Sequence, residues 1–523
     1  MRSLADRTVD LLVIGGGIIG AGIARDAALR GLSVALIEQD DLASGTTSRP
    51  TRLIHGGLRY LEMFDFGLVR SDMKERENLL RIARHLVFPL PFLLPLYRRG
   101  PLYRLKLRTG MVLYDALSRK KSLPTRKKLS RADTLALEPG LEPEGLMGAW
   151  RFYDAQVPYV ERLVVENAID AAEHGALVLN HALAASFLRE GARVSGALVR
   201  DLLGGRELSV RAKATVIATG PWLDRTLTPV RPAKPLLRLT KGIHLVTPRA
   251  TRHAHVLFAD DDRLFFVLPW GDLTLVGTTD TDFDGDPATA AASVDDVRYL
   301  VDAACRAFPS APLDRILYTY AGVRALVREE GVSEGKVSRK HAIYDHEKRD
   351  RLRGLISVVG GKITAYRAIA EEVTDLVVER VKARGRSTTA KQPLPGARDD
   401  GIAAPASVSA ATWARLGSIY GSRAGRVLAR AGDDGALLRP LCPHHAGVAA
   451  EVDHAVGTEW ARTIGDVMLR RTMLGLAQCQ GLDALDAVAD RMAALLGWDA
   501  AQRRAEIDRY RREIEPMRRF ATA

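Results

Sequence analysis

The sequence predicts an α/β fold that carries a β-rich insertion and is followed by an all-helical C-terminal part. Three observations predict it: a strand–glycine turn–helix–strand unit over residues 9–38, strand-like runs between residues 238 and 345, and a helix-only pattern over residues 405–520. At 523 residues the chain is too long for one core, so two or three domains are expected. Apolar residues make up 47% and charged residues 27%, the composition of a folded chain. The net charge of +13 suits an anionic substrate, an anionic membrane surface or nucleic acid. Many of the arginines are scattered through helices, so a general compositional bias explains the excess about as well. Aromatic residues are only 6% and do not interleave with basic stripes, which argues against nucleic acid.

The elements follow in order. Val9 to Ile14 reads as a buried strand, and Gly15, Gly17 and Gly20 follow it at G-x-G-x-x-G spacing. A helix-forming run leads to Gly31, and a second strand, Val34 to Ile37, ends on Glu38. Gly15 allows the tight turn, Gly17 lets the backbone approach a pyrophosphate, and Gly20 lets helix and strand pack closely. The helix N-terminus offers N–H groups and partial positive charge to phosphates, and Glu38 is placed to accept from ribose hydroxyls. The unit therefore predicts a bound dinucleotide, and nothing in it separates FAD from NAD. Ser44 to Ser48 form a small, hydroxyl-rich loop, suited either to passing a pyrophosphate or to a solvated turn.

Ser71 to Ala83 reads as an amphipathic helix. Leu86 to Tyr97, LVFPLPFLLPLY, is interrupted by Pro89, Pro91 and Pro95 and cannot be a continuous helix. Leu102 to Leu117 reads as a basic helix. With Arg98, Arg99, Arg104, Lys106 and Arg108, these segments suit a surface dipping into an anionic bilayer, each basic residue adding about 1 kcal/mol. They suit equally an apolar core with a solvated arginine face. Val160 to Glu173 is a helix, Ala176 to Leu179 a strand, and short strands run through Arg193–Val199 and Glu207–Val210 to a buried strand, Ala214 to Ile217, that ends in ATGPW. Strands Ile243–Val246, Leu264–Leu268 and Leu273–Val276 follow, the last two joined at Gly271-Asp272. A strand at Gly354–Val359 turns through Gly360-Gly361 into a helix at Thr364–Arg380, a second N–H cradle. Lys391 to Asp400 has the composition of a linker. There is no internal repeat. No run reaches the roughly 18 apolar residues of a membrane-spanning helix, and the N-terminus lacks a signal-peptide core. Cys305, Cys442 and Cys479 include no short-spaced pair, which fits a reducing cytoplasm. His444 and His445 beside Cys442 find no supporting ligands in the sequence, so no metal site is expected.

After the fingerprint come SGTTSRPTRLIHGGLRYLE, ATGPW, LVGTTDTDFDGDP, YAGVRAL and VVGGKITAYR, in that order. The series resembles the FAD-dependent glycerol-3-phosphate dehydrogenase family, of the aerobic, quinone-linked type, over residues 8–480. IHGGLRYLE and GGKITAYR are its most specific parts, and WARTIGDVMLRRTMLG looks like that family's C-terminal helical domain.

The resemblance implies a Rossmann-like FAD-binding domain from residues 1–80, 150–237 and 346–390. A helical or apolar insertion (81–149), a β-rich substrate domain (238–345) and a C-terminal helical domain (401–523) complete it. It implies FAD held by Gly15, Gly17, Gly20, Glu38, Ser44, Thr46, Thr47, Ser48, His55, Gly56, Gly220, Gly361, Lys362, Ile363 and Thr364, with the GGK turn against the flavin ring. The substrate would be sn-glycerol 3-phosphate, contacted by Arg59, Tyr60, Arg324, Arg339 and Lys362; Arg suits bidentate phosphate contact and Lys a point charge. Arg339 is followed by Lys340-His341, where the family has an acidic or small residue and an aromatic, so it fits the pattern least. Hydride would pass from C2 to flavin N5, giving dihydroxyacetone phosphate. His244 is the first choice for the base and Arg324 for stabilising the developing alkoxide. Without CxxC or iron–sulfur spacing, the next electron acceptor must be mobile, and the resemblance implies a quinone. An oxidase that reduces oxygen to peroxide is the alternative, and an RNA-associated flavoprotein is the disfavoured one from another class. A cytoplasmic protein peripheral on the inner face of the membrane is expected, and a homodimer is left open.

Overall fold

The computed structural model describes residues 7–57, 65–98, 100–118, 122–231, 234–328, 340–399 and 408–521. The chain divides into two compact units, one of residues 1–48, 159–240 and 324–513, the other of 49–158, 241–323 and 514–523.

The first unit is built on a sheet with strand order Ala342–Asp345, Leu355–Val359, Glu207–Ile217, Thr8–Ile14, Val34–Ile37, Leu177–Leu179. Thr8–Ile14 is central and pairs in parallel with Glu207–Ile217 and Val34–Ile37. Leu355–Val359 also runs parallel, and Ala342–Asp345 closes that edge antiparallel. Leu11, Leu12 and Val13 are wholly buried, as the apolar run of a strand covered on both faces demands. The helix Ile18–Leu29 packs so closely on the helix Tyr366–Val381 that a Cβ on Gly22 would meet the Tyr366 ring at 3.0 Å. The expected linker is no free tether. Leu394 and Ala397 are buried, and the Gly396 N–H donates to Glu166 Oε2 at 2.7 Å.

The C-terminal part is not helix only. A hairpin, Pro440–Cys442 with His445–Val448, and a π-helical turn, Asp466–Arg471, interrupt the helices Ala410–Tyr420, Ala449–Thr458, Leu485–Leu496 and Ala500–Arg518. Buried ion pairs fasten it within the first unit. Arg162 forks onto Glu459 at 2.6 and 2.9 Å, and Arg423 reaches Glu166 at 2.7 Å. Burial opposes ionisation of Glu459, yet Arg162 and His454 hold its carboxyl well below the usual range.

The second unit is built on a ten-stranded sheet. Its core is formed by Ile243, Leu245, Val267 and Val276 against Leu300 and Phe308. The proline-broken run corrects the bilayer reading for its apolar part: Phe88–Tyr97 is a strand, with Phe92, Leu93 and Leu94 buried. It runs antiparallel to Leu146–Gln156 along its length and parallel to Ala254–Phe258 at Phe92 and Leu93. Its prolines all stand at odd positions, so their missing N–H groups face one edge and the ladder on the other survives. The helix Pro101–Leu117 bears exposed Leu105 and Val112 beside exposed Arg108. Arg98 is exposed, Arg99 lies outside the described residues, and so do the side chains of Arg104 and Lys106. No helix among the described residues is long and apolar enough to cross a membrane.

Candidate active site

In the first unit the glycine fingerprint lies at the C-terminal ends of the parallel strands, where open α/β sheets bind ligands. Gly15 turns with φ +112°, and a Cβ there would fall 2.5 Å from the Ala218 carbonyl oxygen. A Cβ on Gly20 would fall 1.8 Å from the Gly15 carbonyl oxygen, so helix and turn meet backbone to backbone. Gly17 is different. It caps the helix, and a Cβ there would meet only Thr47 Oγ1, at 3.2 Å. The space in front of it is open, which is the fit a pyrophosphate requires.

The loop after Glu38 borders that space. Thr46–Ser48 form one 3-10 turn, and Thr47 Oγ1 accepts the Ile18 N–H at 3.2 Å. Ser48 Oγ donates to the Gly45 carbonyl at 3.1 Å, and the Ser44 N–H to that of Asp41 at 3.1 Å. Glu38 accepts from the N–H groups of Gly16, at 2.6 Å, and Asp40, at 2.9 Å. Burial, reinforced by Asp40 and Asp41, pushes its carboxyl up to about 7. Gly220, at φ +55°, opens the GPW turn, and a Cβ on Gly45 would meet the Trp222 ring at 2.9 Å.

The second glycine turn joins the first. Gly361, at φ +110°, sits where a Cβ would meet Ile19 Cδ1 at 3.0 Å, beside the start of the fingerprint helix. Lys362 caps the 3-10 turn Ile363–Ala365, in which Thr364 is buried, and the helix Tyr366–Val381 follows. A Cβ on Gly360 would lie 3.3 Å from the carbonyl of Ala325, so the strand segment carrying Arg324 borders the turn carrying Lys362. Gly15, Gly17, Gly20, Glu38, Ser44, Thr46, Thr47, Ser48, Gly220, Gly361, Lys362, Ile363, Thr364 and Arg324 thus all belong to this unit.

In the second unit His244 stands in mid-strand, within Leu237–Pro248, rather than at a strand's start. It is buried, its Nε2 lies 2.9 Å from Thr51 Oγ1, and its ring stacks on Tyr320 at 4.9 Å. The Tyr320 hydroxyl donates to the Pro50 carbonyl at 2.9 Å. A Cβ on Gly277 would fall 2.5 Å from His244 Cδ2, so glycine is required opposite the ring. Thr51, Tyr320 and Gly277 went unnoticed in the sequence, although all lie within its recognised motifs or next to them. Thr279 Oγ1 accepts the Ile243 N–H at 3.1 Å, a structural role in the same strand pair. His55 Nδ1 accepts the Gly57 N–H at 3.1 Å, and its ring meets Phe266 edge-on at 6.4 Å. The Gly56 N–H donates to Tyr114 Oη at 3.1 Å, and that hydroxyl donates to Asp154 at 2.6 Å. Arg59, Tyr60 and Arg339 lie outside the described residues.

Cys442 is not without company: Cys479 Sγ lies 3.5 Å from its sulfur, and Asp483 is beside both. A second set, Asp41, His181 and Asp466, is buried among Arg470 and Arg471 and forms an ion-pair network.

A family profile described as "FAD dependent oxidoreductase" matches residues 10–376, and one described as "C-terminal domain of alpha-glycerophosphate oxidase" matches residues 387–503. The chain is 38% identical to a protein of Synechocystis sp. named glycerol-3-phosphate dehydrogenase, over 97% of this chain and 96% of that one. It is 33% identical to the aerobic glycerol-3-phosphate dehydrogenase of Staphylococcus aureus, over 98% of this chain and 95% of that one. The structure of the glycerol-3-phosphate dehydrogenase from Bacillus halodurans complexed with FAD is similar at a TM-score of 0.78 and 30% identity, covering 100% of this chain and 96% of that one. With the fingerprint, the open cradle and the second glycine turn in place, the chain belongs to the FAD-dependent glycerol-3-phosphate dehydrogenase family.

Proposed function

We propose that this chain oxidises sn-glycerol 3-phosphate to dihydroxyacetone phosphate and delivers the electrons to a quinone. The observation that carries the reading is the full-length similarity to proteins named glycerol-3-phosphate dehydrogenase. FAD, when bound, supplies the hydride acceptor. Gly15, Gly17 and the Ile18–Leu29 helix N-terminus hold its pyrophosphate, Glu38 its ribose, and the Gly361–Thr364 turn offers N–H donors to its ring. Ser44, Thr46, Thr47, Ser48 and Gly220 line the same path in this reading, which also assigns His55 and Gly56 to FAD. Arg59, Tyr60, Arg324, Arg339 and Lys362 supply the charge and hydrogen bonds for a phosphomonoester of nearly two negative charges. His244 takes the hydroxyl proton on the ring nitrogen that Thr51 does not engage, its Nε2–H donating to Thr51 Oγ1 at 2.9 Å. Thr51 and Tyr320 keep the imidazole in one orientation while it does so.

The word "aerobic" in the Staphylococcus aureus relative's name supports a respiratory acceptor, and the exposed Leu105, Val112 and Arg108 on one helix suit attachment to the inner membrane face. The C-terminal profile favours a second reading, an oxidase that passes electrons to oxygen and releases peroxide. Turnover of glycerol 3-phosphate with a ubiquinone analogue, compared with oxygen alone, decides between them. Fast peroxide release without quinone overturns the dehydrogenase reading. No bleaching of the flavin absorbance by glycerol 3-phosphate without oxygen overturns both.

A further inference from the structure

The C-terminal hairpin and the turn before the helix Leu485–Leu496 bring together three metal-ligating side chains that the reaction does not use, with His444 beside one of them. Cys442 ends the strand Pro440–Cys442, and the hairpin Cys442-Pro443-His444-His445 reverses the chain there. The His444 backbone N–H donates to Cys442 Sγ at 3.3 Å. From the other side, Cys479, Gln480 and Gly481 turn sharply with φ +51° at Gln480 and +69° at Gly481, and deliver Asp483 in the 3-10 turn Leu482–Ala484. A Cβ on Gly481 would fall 2.4 Å from Met468 Cε, so the turn is packed in place.

The ligand atoms of Cys442, Cys479 and Asp483 all lie within 4.8 Å of one another. The two sulfurs are 3.5 Å apart. Two thiolates each about 2.3 Å from one tetrahedral ion stand about 3.8 Å apart, whereas a disulfide requires about 2.05 Å. His444 Nε2 lies 3.4 Å from Asp483 Oδ2, and the Gln478 side-chain nitrogen lies 2.6 Å from its Nδ1.

We propose that Cys442, Cys479 and Asp483 bind zinc, with His444 turning in from beside Asp483 as the fourth ligand. Two thiolates, an imidazole and a carboxylate are a borderline-soft set suited to Zn²⁺ over Mg²⁺ or Ca²⁺. With His444 as the fourth ligand the site is closed and structural, and it staples the hairpin to the start of the helix Leu485–Leu496. The signal was absent from the sequence because the two cysteines are 37 positions apart and meet only in the fold.

The test is metal analysis of the purified, FAD-loaded full chain after incubation with zinc and gel filtration. About one zinc per chain is expected. Cobalt loading should give a thiolate-to-cobalt charge-transfer band together with the visible bands of a tetrahedral ion. Cys479→Ser should abolish both. If Cys479→Ser does not fold, Asp483→Ala and His444→Ala, on half-exposed side chains, carry the test: each should weaken zinc binding by about 10-fold or more while flavin content stays constant. Two freely titrating thiols with no zinc retained, a Cys442–Cys479 disulfide in the intact mass, or zinc affinity unchanged in both alanine variants would overturn the proposal.

Discussion

Gly17 and Gly20 stand three residues apart in one motif, yet their replacement by alanine should damage different things. At Gly20 the new Cβ would lie 1.8 Å from the Gly15 carbonyl oxygen, and that neighbour is backbone. Turn or helix must move by about an ångström or more, an overpacking cost of about 1–3 kcal/mol or higher. The apoprotein itself should lose stability. At Gly17 the backbone has φ −74°, open to any L-residue, and the new Cβ meets only Thr47 Oγ1 at 3.2 Å. Apoprotein stability should change by about 1 kcal/mol or less, the scale of an altered N-cap. The methyl group would instead occupy the space through which a pyrophosphate reaches the N–H groups. Two charge-assisted hydrogen bonds lost at about 1.5–3 kcal/mol each amount to about 3–6 kcal/mol, or ~10²–10⁴ in Kd. The assay pairs thermal unfolding of the apoproteins with FAD titration followed by flavin fluorescence. Gly17→Ala should melt like the parent and bind FAD weakly, while Gly20→Ala should melt early. Parental FAD affinity in Gly17→Ala, or parental stability in Gly20→Ala, would refute the division of labour.

Arg471 forks onto Asp41 with both distances at 2.8 Å and no exposure of either side chain, so Arg471→Ala leaves a buried carboxylate short of a partner. A loss of about 3–5 kcal/mol is expected in denaturant titrations, together with faster release of FAD; unchanged stability would remove the pair from the fold's supports. Glu38, with its carboxyl raised to about 7, favours folding of the apoprotein most at pH below the ordinary carboxylate range, and that contribution is lost as pH rises through about 7. Ionised Glu38 is the better acceptor for ribose hydroxyls. FAD Kd should therefore fall between about pH 6 and about pH 8.5 in the parent and stay flat in Glu38→Gln, and a flat parental profile would count against the ribose role. Arg324→Ala should retain a normal flavin spectrum and lose about 3 kcal/mol in kcat/KM, ~10²-fold, as a bidentate phosphate contact disappears. Parental kcat/KM would take Arg324 out of the substrate site.

How much was legible follows from the range of the interactions. Strand, turn and helix of the fingerprint lie within 30 consecutive residues; Gly15 and Gly20 meet neighbours inside that window or in the turn ATGPW, and Gly17 meets Thr47 in the hydroxyl-rich loop that follows. That part was readable. The sheet of the second unit was not, because its pairings join distant segments. Phe88–Tyr97, apolar and next to a basic helix, suited a membrane surface as well as a core, while the partner that makes it a strand, Leu146–Gln156, carries no matching signal. The setting of His244 was hidden likewise: Thr51 is 193 residues away, and Tyr320 reaches the ring from another strand.

The C-terminal part showed no chemistry in the sequence, and its ion pairs now give it a task. Asp41 stands three residues after Glu38, at the start of the loop that carries Ser44 to Ser48. Its carboxylate accepts from Arg470 Nε, from both terminal nitrogens of Arg471 and from Asn180, at 2.8 to 2.9 Å. Both arginines come from the π-helical turn Asp466–Arg471, whose wider winding carries Arg470 and Arg471 to the same carboxylate. Asp466 in turn accepts from His181 at 2.8 Å; burial opposes both charges, but the pairing holds the aspartate low and raises the histidine. A cluster of this kind adds little net stability over apolar packing, because desolvation offsets the attraction. What it supplies is position: the loop can take one place only, that in which every charge is matched. The C-terminal part therefore bears on the cofactor through Asp41, fixing the loop that leads from Glu38 to Thr47 without contributing a residue to the cradle itself.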